Sequence, residues 1–598
     1  MKSLLLSRQD LDFLLFDWLR IDELTARPRF AEHSRDTFSD ALDLCEQLAG
    51  KYFAPHNKKS DAHEPTFDGE TVTVIGEVKE ALAACADADL IGMAMDYGLG
   101  GAQLPMTVAQ AGFAWLLAAN VSTAGYPMLT MANANLLAEF GSPEQIDAFV
   151  KPMIAGRFTG TMCLSETQAG SSLADITTRA EPRADGTFRL FGSKMWISGG
   201  DHELTDNIVH LVLAKIPGGP AGTKGISLFI VPKYLVGPDG LAGERNDVVL
   251  AGLNHKMGYR GITNTVLNFG EGGYRPGGEP GAVGYLVGEE HRGLSYMFRM
   301  MNEARLGVGM GAIALGYTGY LKSLDYARSR PQGRPVSAKD PAAPQVPIIE
   351  HADVKRMLLA QKSYVEGALA LALYCARLVD IARTAESDTE REHATALLDI
   401  LTPVAKSWPS QWCLAANDLA IQVHGGYGYT REYDVEQHYR DNRLNPIHEG
   451  THGIQSLDLL GRKVVQHGGA NLAAVQRAMS NSIAAARQAG GESADVAGQL
   501  ESVLQRLVTV TAGMFGAGDI DAALANSVVY LEAFGHVVIA WMWLEQLLAT
   551  AGRTGDFYDG KRQAARYFFR YELPKTGPQL DLLESLDRTT IEMQPDWF

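Results

Sequence analysis

The chain of 598 residues is too long for one hydrophobic core, and at about 150 residues per domain it divides into roughly three to five units. A formal charge of -17 repels phosphate backbones and no local basic patch offsets it, so nucleic-acid binding is not expected. No uninterrupted apolar run approaches the roughly 18 residues of a membrane span, and no transmembrane helix is expected either. Arg8, Asp10, Asp12 and Asp17 interrupt the short apolar start and no small-residue cleavage site follows, which argues against a secretory signal. Five cysteines, Cys45, Cys85, Cys163, Cys375 and Cys413, lack metal-ligand spacing. Their odd number in so long a chain predicts reduced thiols and a cytoplasmic location.

Residues 1–39 read as a helical extension, with Leu11, Leu14, Leu15 and Trp18 on one face, attached to the domain that follows. Residues 40–158 are helical in period, broken at Pro55, Pro65, Pro105, Pro127 and Pro143 and by the turn DYGLGGAQLP. Around Thr159 the period changes to two. Phe188 and Leu190, then Ile208 to Leu213, Ile226 to Val231 and Val266 to Phe269 are short strand-like runs, and Asp185-Gly186 is a hairpin-turn signal. Residues 159–280 therefore form a β domain, a closed or sandwiched sheet. Helical period returns in residues 281–465, where Leu306, Met310, Ile313, Tyr317, Leu321 and Leu324 make a stripe long enough for a bundle. Further long helices follow, the last of them kinked at Pro409 and stopped by Gly425-Gly426. After the linker-like QHGGA, residues 466–598 are an additional Ala/Leu-rich helical domain with breaks near Gly490, Gly516 and Gly518.

Glu449 lies between the turn at Pro446 and a helix start whose Ile454, Leu457 and Leu460 recur at helical spacing. Taken alone it is a glutamate favoured by a helix dipole or a candidate base, with Gly450 permitting close backbone approach and Thr451 offering a hydroxyl. Four further observations bear on the choice. MCLSETQAGSS (Met162 to Ser172) and KMWISGG (Lys194 to Gly200) open the β domain, and QVHGGYGY (Gln422 to Tyr429) and IHEGTHGIQ (Ile447 to Gln455) close the bundle. In order and spacing these resemble the acyl-CoA dehydrogenase family over about Asp40 to Lys463, and the long C-terminal domain resembles that of its larger members, the branch of the 3-methylmercaptopropionyl-CoA dehydrogenases. The fold that this resemblance implies is an N-terminal α-helical domain, a middle β-barrel, a C-terminal helical bundle and an additional helical domain.

The resemblance implies FAD, an acyl-CoA thioester, a homodimer, electron-transfer flavoprotein as partner and a place in fatty acid β-oxidation. It makes Glu449 the base that removes the α proton, with its own backbone N–H and a ribityl hydroxyl polarising the thioester carbonyl. Met162, Leu164 and Ser165 would meet the flavin pyrimidine edge, and Trp196 and Ser198 the ring and ribityl chain. Ser171 is either a turn former or reaches phosphate or pantetheine. The segment departs from the family form at Thr167, Gln168 and Ser172, which puts the contact near the usual aspartate in doubt. Arg330, with Gln332, would cross a dimer interface to a pyrophosphate, and Gln422, Gly425 and Gly426 would receive the adenine end. Thr451 joins the cofactor contacts, and Asn302 and Gly450, with Ser171, the substrate contacts.

Some family members carry the base at the position of Ala304 here. Glu303 next door is turned by about 100° and reads as a bundle-rim carboxylate. Arg305 is either a CoA-side arginine or an ion-pair partner of an acid. His448 stands where a tyrosine is common, as a hydrogen-bonded wall or a tuner of the base. An acyl-CoA oxidase, or a flavin-binding scaffold without activity, are the alternatives to a dehydrogenase forming a trans-2-enoyl-CoA.

Overall fold

The computed structural model describes residues 3–337, 340 and 342–598, and of residues 299–302 the backbone alone. Contacts divide the chain into two compact units, Arg35–Ala304 and Met1–Ser34 with Arg305–Phe598.

The first unit sets helices against a curled sheet. Helices α1 (Arg35–Leu48), α2 (Gly76–Asp87), α3 (Met106–Ala119) and α4 (Val121–Phe140) precede it. α3 is apolar nearly all round and buried accordingly, without a break from Ala111 to Ala119, as a helix in the middle of a domain must be. Asn120 separates it from α4, its extended backbone stopping one helix while its side chain caps the next by accepting from the Thr123 N–H at 3.0 Å.

The sheet comprises β1 (Phe158–Cys163), β2 (Arg179–Pro182), β3 (Phe188–Ser198), β4 (Asn207–Lys215), β5 (Ile226–Pro232), β6 (Val248–Leu253), β7 (Asn264–Phe269) and β8 (Ala282–Leu286). The strand order is β6-β7-β3-β8-β5-β4-β1. β2 pairs antiparallel with β3 and, through Arg179 and Lys215, with β4, so β3, β8, β5, β4 and β2 close a ring. That closure is the barrel implied by the family resemblance and the closed alternative of the two sheets read from the alternating pattern. Gly160 in β1 lies where a β-carbon would stand 2.5 Å from Asn133 of α4, and Asn133 donates to the Thr161 and Val209 carbonyls at 3.2 and 2.8 Å. The helix is thereby bonded to the barrel through the backbone itself.

The second unit is a helical bundle. Helix α5 (Gly293–Ser329) enters it at Arg305, and α6 (Ala352–Thr384) and α7 (Asp388–His424) pack along each other. α7 runs on through Pro403 and Pro409 as one continuous helix up to His424. Pro409 leaves the Ala405 carbonyl without its intrahelical donor. Gly309 of α5 passes so close to that oxygen that a β-carbon there would stand 2.1 Å away. Among the described residues one helix, α8 (Ser527–Ala549), is long and apolar enough to cross a membrane, and it is the buried core of the additional domain.

The N-terminal extension corrects its sequence assignment. It belongs to this second unit and not to the domain that follows it in the chain. Asp10, 1% exposed, accepts from the Tyr317 hydroxyl at 2.8 Å and pairs with Lys561, which also meets Glu366 at 2.9 Å. Trp18 donates to Glu545 at 3.0 Å and Arg27 to the Thr384 carbonyl at 2.9 Å. An amphipathic stripe predicts that a face is covered but not by which surface.

Candidate active site

Glu449 sits in a short loop of the second unit whose backbone is held at several points. Asn417 of α7 donates to the Leu315 carbonyl at 2.9 Å, Asn442 to the Asn417 amide oxygen at 2.7 Å, and Asn445 to that of Asn442 at 2.9 Å. This chain of buried amides anchors the loop to α5 and α7. Beyond the base, Thr451 caps helix α9 (His452–Asp458), accepting from the Ile454 N–H. Gln455 turns back to donate to the Glu449 carbonyl at 3.0 Å.

Between these anchors Glu449 adopts φ 53°. The left-handed region is uncommon for a residue with a β-carbon and costs on the order of 1 kcal/mol or more, so the surroundings must impose it. Gly450 follows at φ 92°, and a β-carbon on it would stand 2.5 Å from the Gln455 amide nitrogen. The glycine expected to admit a ligand is thus needed first by the protein's own side chain.

Burial pushes the Glu449 carboxyl above the usual carboxylate range, while the charges of Lys406 and Arg305 pull it down. Arg305, 2% exposed, donates to Asp458 at 2.8 Å, which is its ion-pair reading. His448 meets the Asn445 amide oxygen at 3.0 Å, and burial, reinforced by Lys406, drives its imidazole down to about 3. It is neutral near pH 7, a wall residue in hydrogen bond to the loop. In the first unit Glu303 accepts from the Asn135 amide at 3.2 Å. The Asn302 side chain lies outside the described residues.

Within the first unit the two motifs of the β domain are bonded to each other. Lys194 of β3, fully buried, meets Glu166 at 2.9 Å and donates to the Leu164 carbonyl at 3.0 Å. Glu166 also accepts from the N–H and hydroxyl groups of Thr177 and Thr178 and from Gln168. Burial opposes its charge, but Lys194 and these donors hold the carboxyl down to about 2. Thr265 pairs with Ile197 and Leu267 with Lys194, so Met195 and Trp196 stand opposite Val266 alone. That is a β-bulge, with Trp196 at φ 67°. It turns the Met195 N–H to the Ser165 carbonyl at 3.0 Å and leaves Trp196 58% exposed. Leu164 and Ser165 are therefore brought beside the strand segment that carries Trp196, while Met162 pairs with Leu211 of β4. Ser198 accepts from Asn264 at 3.2 Å. Ser171 lies in an exposed bend, and Ser172, where the family has aspartate, is bonded to Asp175.

A cleft of about 520 Å³ in the second unit is lined by Arg330, Gln332, Gly425, Gly426, Tyr326, His424 and Tyr427 among others. Arg330 stands over the Tyr427 ring at 5.5 Å, and Tyr326 stacks on His424 at 4.4 Å. A β-carbon on Gly425 or Gly426 would meet only open space. A guanidinium, flat aromatic walls and bare backbone are the groups that a nucleotide's phosphate and base require, so the donor set fits the adenine and pyrophosphate end of a flavin nucleotide. Gln422 is not brought into this cleft: its side chain is exposed and its carbonyl accepts from the Gly425 N–H.

Sequence reasoning missed Lys406, Glu166, Lys194 and the aromatic walls. Lys406 leaves one trace, a lone charge in the apolar run LTPVAKSWP.

Family models cover nearly the whole chain. They are the acyl-CoA dehydrogenase N-terminal domain over residues 38–157, middle domain over 161–271 and C-terminal domain over 291–465, and the acetyl-CoA dehydrogenase C-terminal-like domain over 472–594. The chain is 34% identical to 3-methylmercaptopropionyl-CoA dehydrogenase of Ruegeria pomeroyi, with 93% of each chain covered. It is likewise 34% identical to the broad-specificity linear acyl-CoA dehydrogenase FadE5 of Mycobacterium tuberculosis, with 98% of each covered. Among solved structures, Caenorhabditis elegans ACDH-11 in complex with C11-CoA superposes with a TM-score of 0.73 at 18% identity, covering 94% of this chain and 89% of that one. Acyl-CoA dehydrogenase complexed with FAD from Bacillus anthracis gives 0.71 at 20%, covering 98% and 92%. The motifs, the barrel between helical domains and these relatives agree: the chain belongs to the acyl-CoA dehydrogenase family and is an FAD-dependent oxidoreductase acting on acyl-CoA thioesters.

Proposed function

We propose that this enzyme converts an acyl-CoA to the trans-2-enoyl-CoA, with Glu449 as the base that removes the α proton. The observation that carries the reading is Glu449 itself, a non-glycine residue fixed at φ 53°, its carboxyl raised by burial. Strain of this kind persists where the surrounding structure imposes it, and a raised carboxyl is a stronger base toward an acidified carbon. Among the described residues no acceptor takes the Glu449 backbone N–H, which leaves it available to a thioester carbonyl. When bound, FAD supplies the acceptor for the β hydride, chemistry that no side chain offers. Met162, Ser165, Trp196 and Ser198 would hold its ring end, while Arg330 and Gln332 would reach a pyrophosphate across a dimer interface and Gly425 and Gly426 would receive an adenine end. Electrons leaving the enzyme go to an electron-transfer flavoprotein, and the protein acts as a cytoplasmic homodimer in fatty acid β-oxidation. The two curated relatives described above are dehydrogenases by name and match from end to end, which favours this acceptor over oxygen.

A series of acyl-CoAs from short to long, added anaerobically to the yellow holoenzyme, tests the reading. Bleaching that turns over with a dye acceptor and yields no peroxide in air is expected, and a flavin that no acyl-CoA bleaches would overturn it.

A further inference from the structure

Lys406 takes no step in the proposed reaction, yet its surroundings are arranged around Glu449. It projects from α7 between Pro403 and Pro409 and is fully buried. Its ammonium donates to the Asn445 carbonyl at 2.8 Å and to the Gly450 carbonyl at 2.7 Å. Those two carbonyls bracket the loop that carries Glu449, one before it and one directly after. A buried lysine is costly, and ordinary backbone carbonyls are poor compensation compared with a carboxylate. Nothing about holding a loop demands a charge, since an asparagine amide does the same work at Asn417 and Asn442.

The charged groups around Lys406 show what the charge serves. From α5 comes Arg305, whose own charge is engaged with Asp458 of α9. From the loop come Glu449 and His448, from α9 His452, and from the turn before the loop Arg443, whose charge also bears on His452. Burial with Lys406 drives His448 to about 3, and burial with Lys406 and Arg443 drives His452 to about 4, so both imidazoles are neutral near pH 7. Lys406 itself is lowered to about 7 by burial, Glu449 opposing and Arg305 adding to the fall, so its charge is fully present below that pH, which is where its effect on the Glu449 limb is read. Of the two cations acting on Glu449, Lys406 acts more strongly.

We propose that Lys406 is a positioning residue for the catalytic base: it fastens both ends of the Glu449 loop and supplies the positive charge against which the Glu449 carboxylate stands. The inference rests on Glu449 being the base. Its electrostatic half has a defined sign. A base must be ionised to act, so the rate of flavin reduction rises with pH through the Glu449 pKa. Removing a neighbouring cation raises that pKa further and moves the limb to higher pH.

The test compares wild-type holoenzyme with Lys406→Met and Lys406→Arg by anaerobic reduction with one acyl-CoA across the pH range. In Lys406→Met the rising limb should move up by about one pH unit or more, so that the rate is roughly tenfold down on the limb and recovers toward wild type as the solution becomes alkaline. Lys406→Arg should return the limb to its place. Independently of turnover, the infrared band of the protonated Glu449 carboxyl, assigned by its loss in Glu449→Gln, should titrate at higher pH in Lys406→Met. Lys406→Gln, which keeps a donor for the carbonyls, gives the same reading if the methionine variant fails to fold. A band and a limb that stay where the wild type has them, or a rate deficit constant at every pH, would overturn the inference. Wild-type reduction that persists in Glu449→Gln would overturn the base assignment instead.

Discussion

Two residues with side chains occupy left-handed backbone at the heart of the family's motifs, Glu449 in the second unit and Trp196 in the first, and the two regions hold them by different physics. The Glu449 loop is fastened by side chains that reach across sequence, Lys406, Asn442 and Gln455, to backbone carbonyls and amides. Trp196 is fastened by sheet register, as the second residue of a two-against-one bulge, with one buried ion pair behind it. In the proposed reaction the loop carries the group whose protonation changes during turnover, and one of its restraints, Lys406, is charged. The bulge presents an exposed ring that does no proton chemistry, and its charges, Glu166 and Lys194, neutralise each other out of reach of solvent.

The largest effect expected from this contrast lies in the ion pair. Lys194→Met strands the Glu166 carboxylate in the protein interior, and breaking a buried pair in this way costs about 3–5 kcal/mol. Thermal unfolding should show a large loss together with poor FAD retention, and the double change Glu166→Gln with Lys194→Met should recover part of it. If the single variant melts with the wild type, register alone secures the bulge. The Lys406 variants, by contrast, should lose rate and pH position more than stability.

A smaller effect isolates the strain. Trp196→Gly and Trp196→Ala both remove the ring, but only glycine accepts φ 67° without penalty, so the glycine variant should be the more stable by about 1 kcal/mol. Equal melting of the two would mean that the bulge relaxes, contrary to a backbone fixed by its neighbours.

How far the sequence revealed these regions follows the same division. The strands around Trp196 show as alternation, and Glu449 shows as an acid in a motif, because both signals are local. The bulge does not show, since it exists only in the pairing of residues 192–198 with 264–269. Lys406 stands 43 residues from Glu449, as 449 less 406 gives, and its partners are carbonyls, which any residue supplies. The extension before Ser34 showed its apolar face but not its partner, for Lys561 and Glu545 lie at the far end of the chain. The Thr451 hydroxyl, a cofactor contact by resemblance, caps a helix in the structure, the common use of threonine before a helix and one that the motif alone does not show.

The central claim, that Glu449 takes the α proton, is tested most directly by exchange. An acyl-CoA analogue with sulfur in place of the β carbon can lose an α proton but no β hydride. Incubated with holoenzyme in heavy water and followed by mass spectrometry, it should gain α deuterium with the wild type. With Glu449→Gln the exchange should slow by at least about 100-fold while FAD stays bound. Exchange at the wild-type rate in that variant would contradict the account.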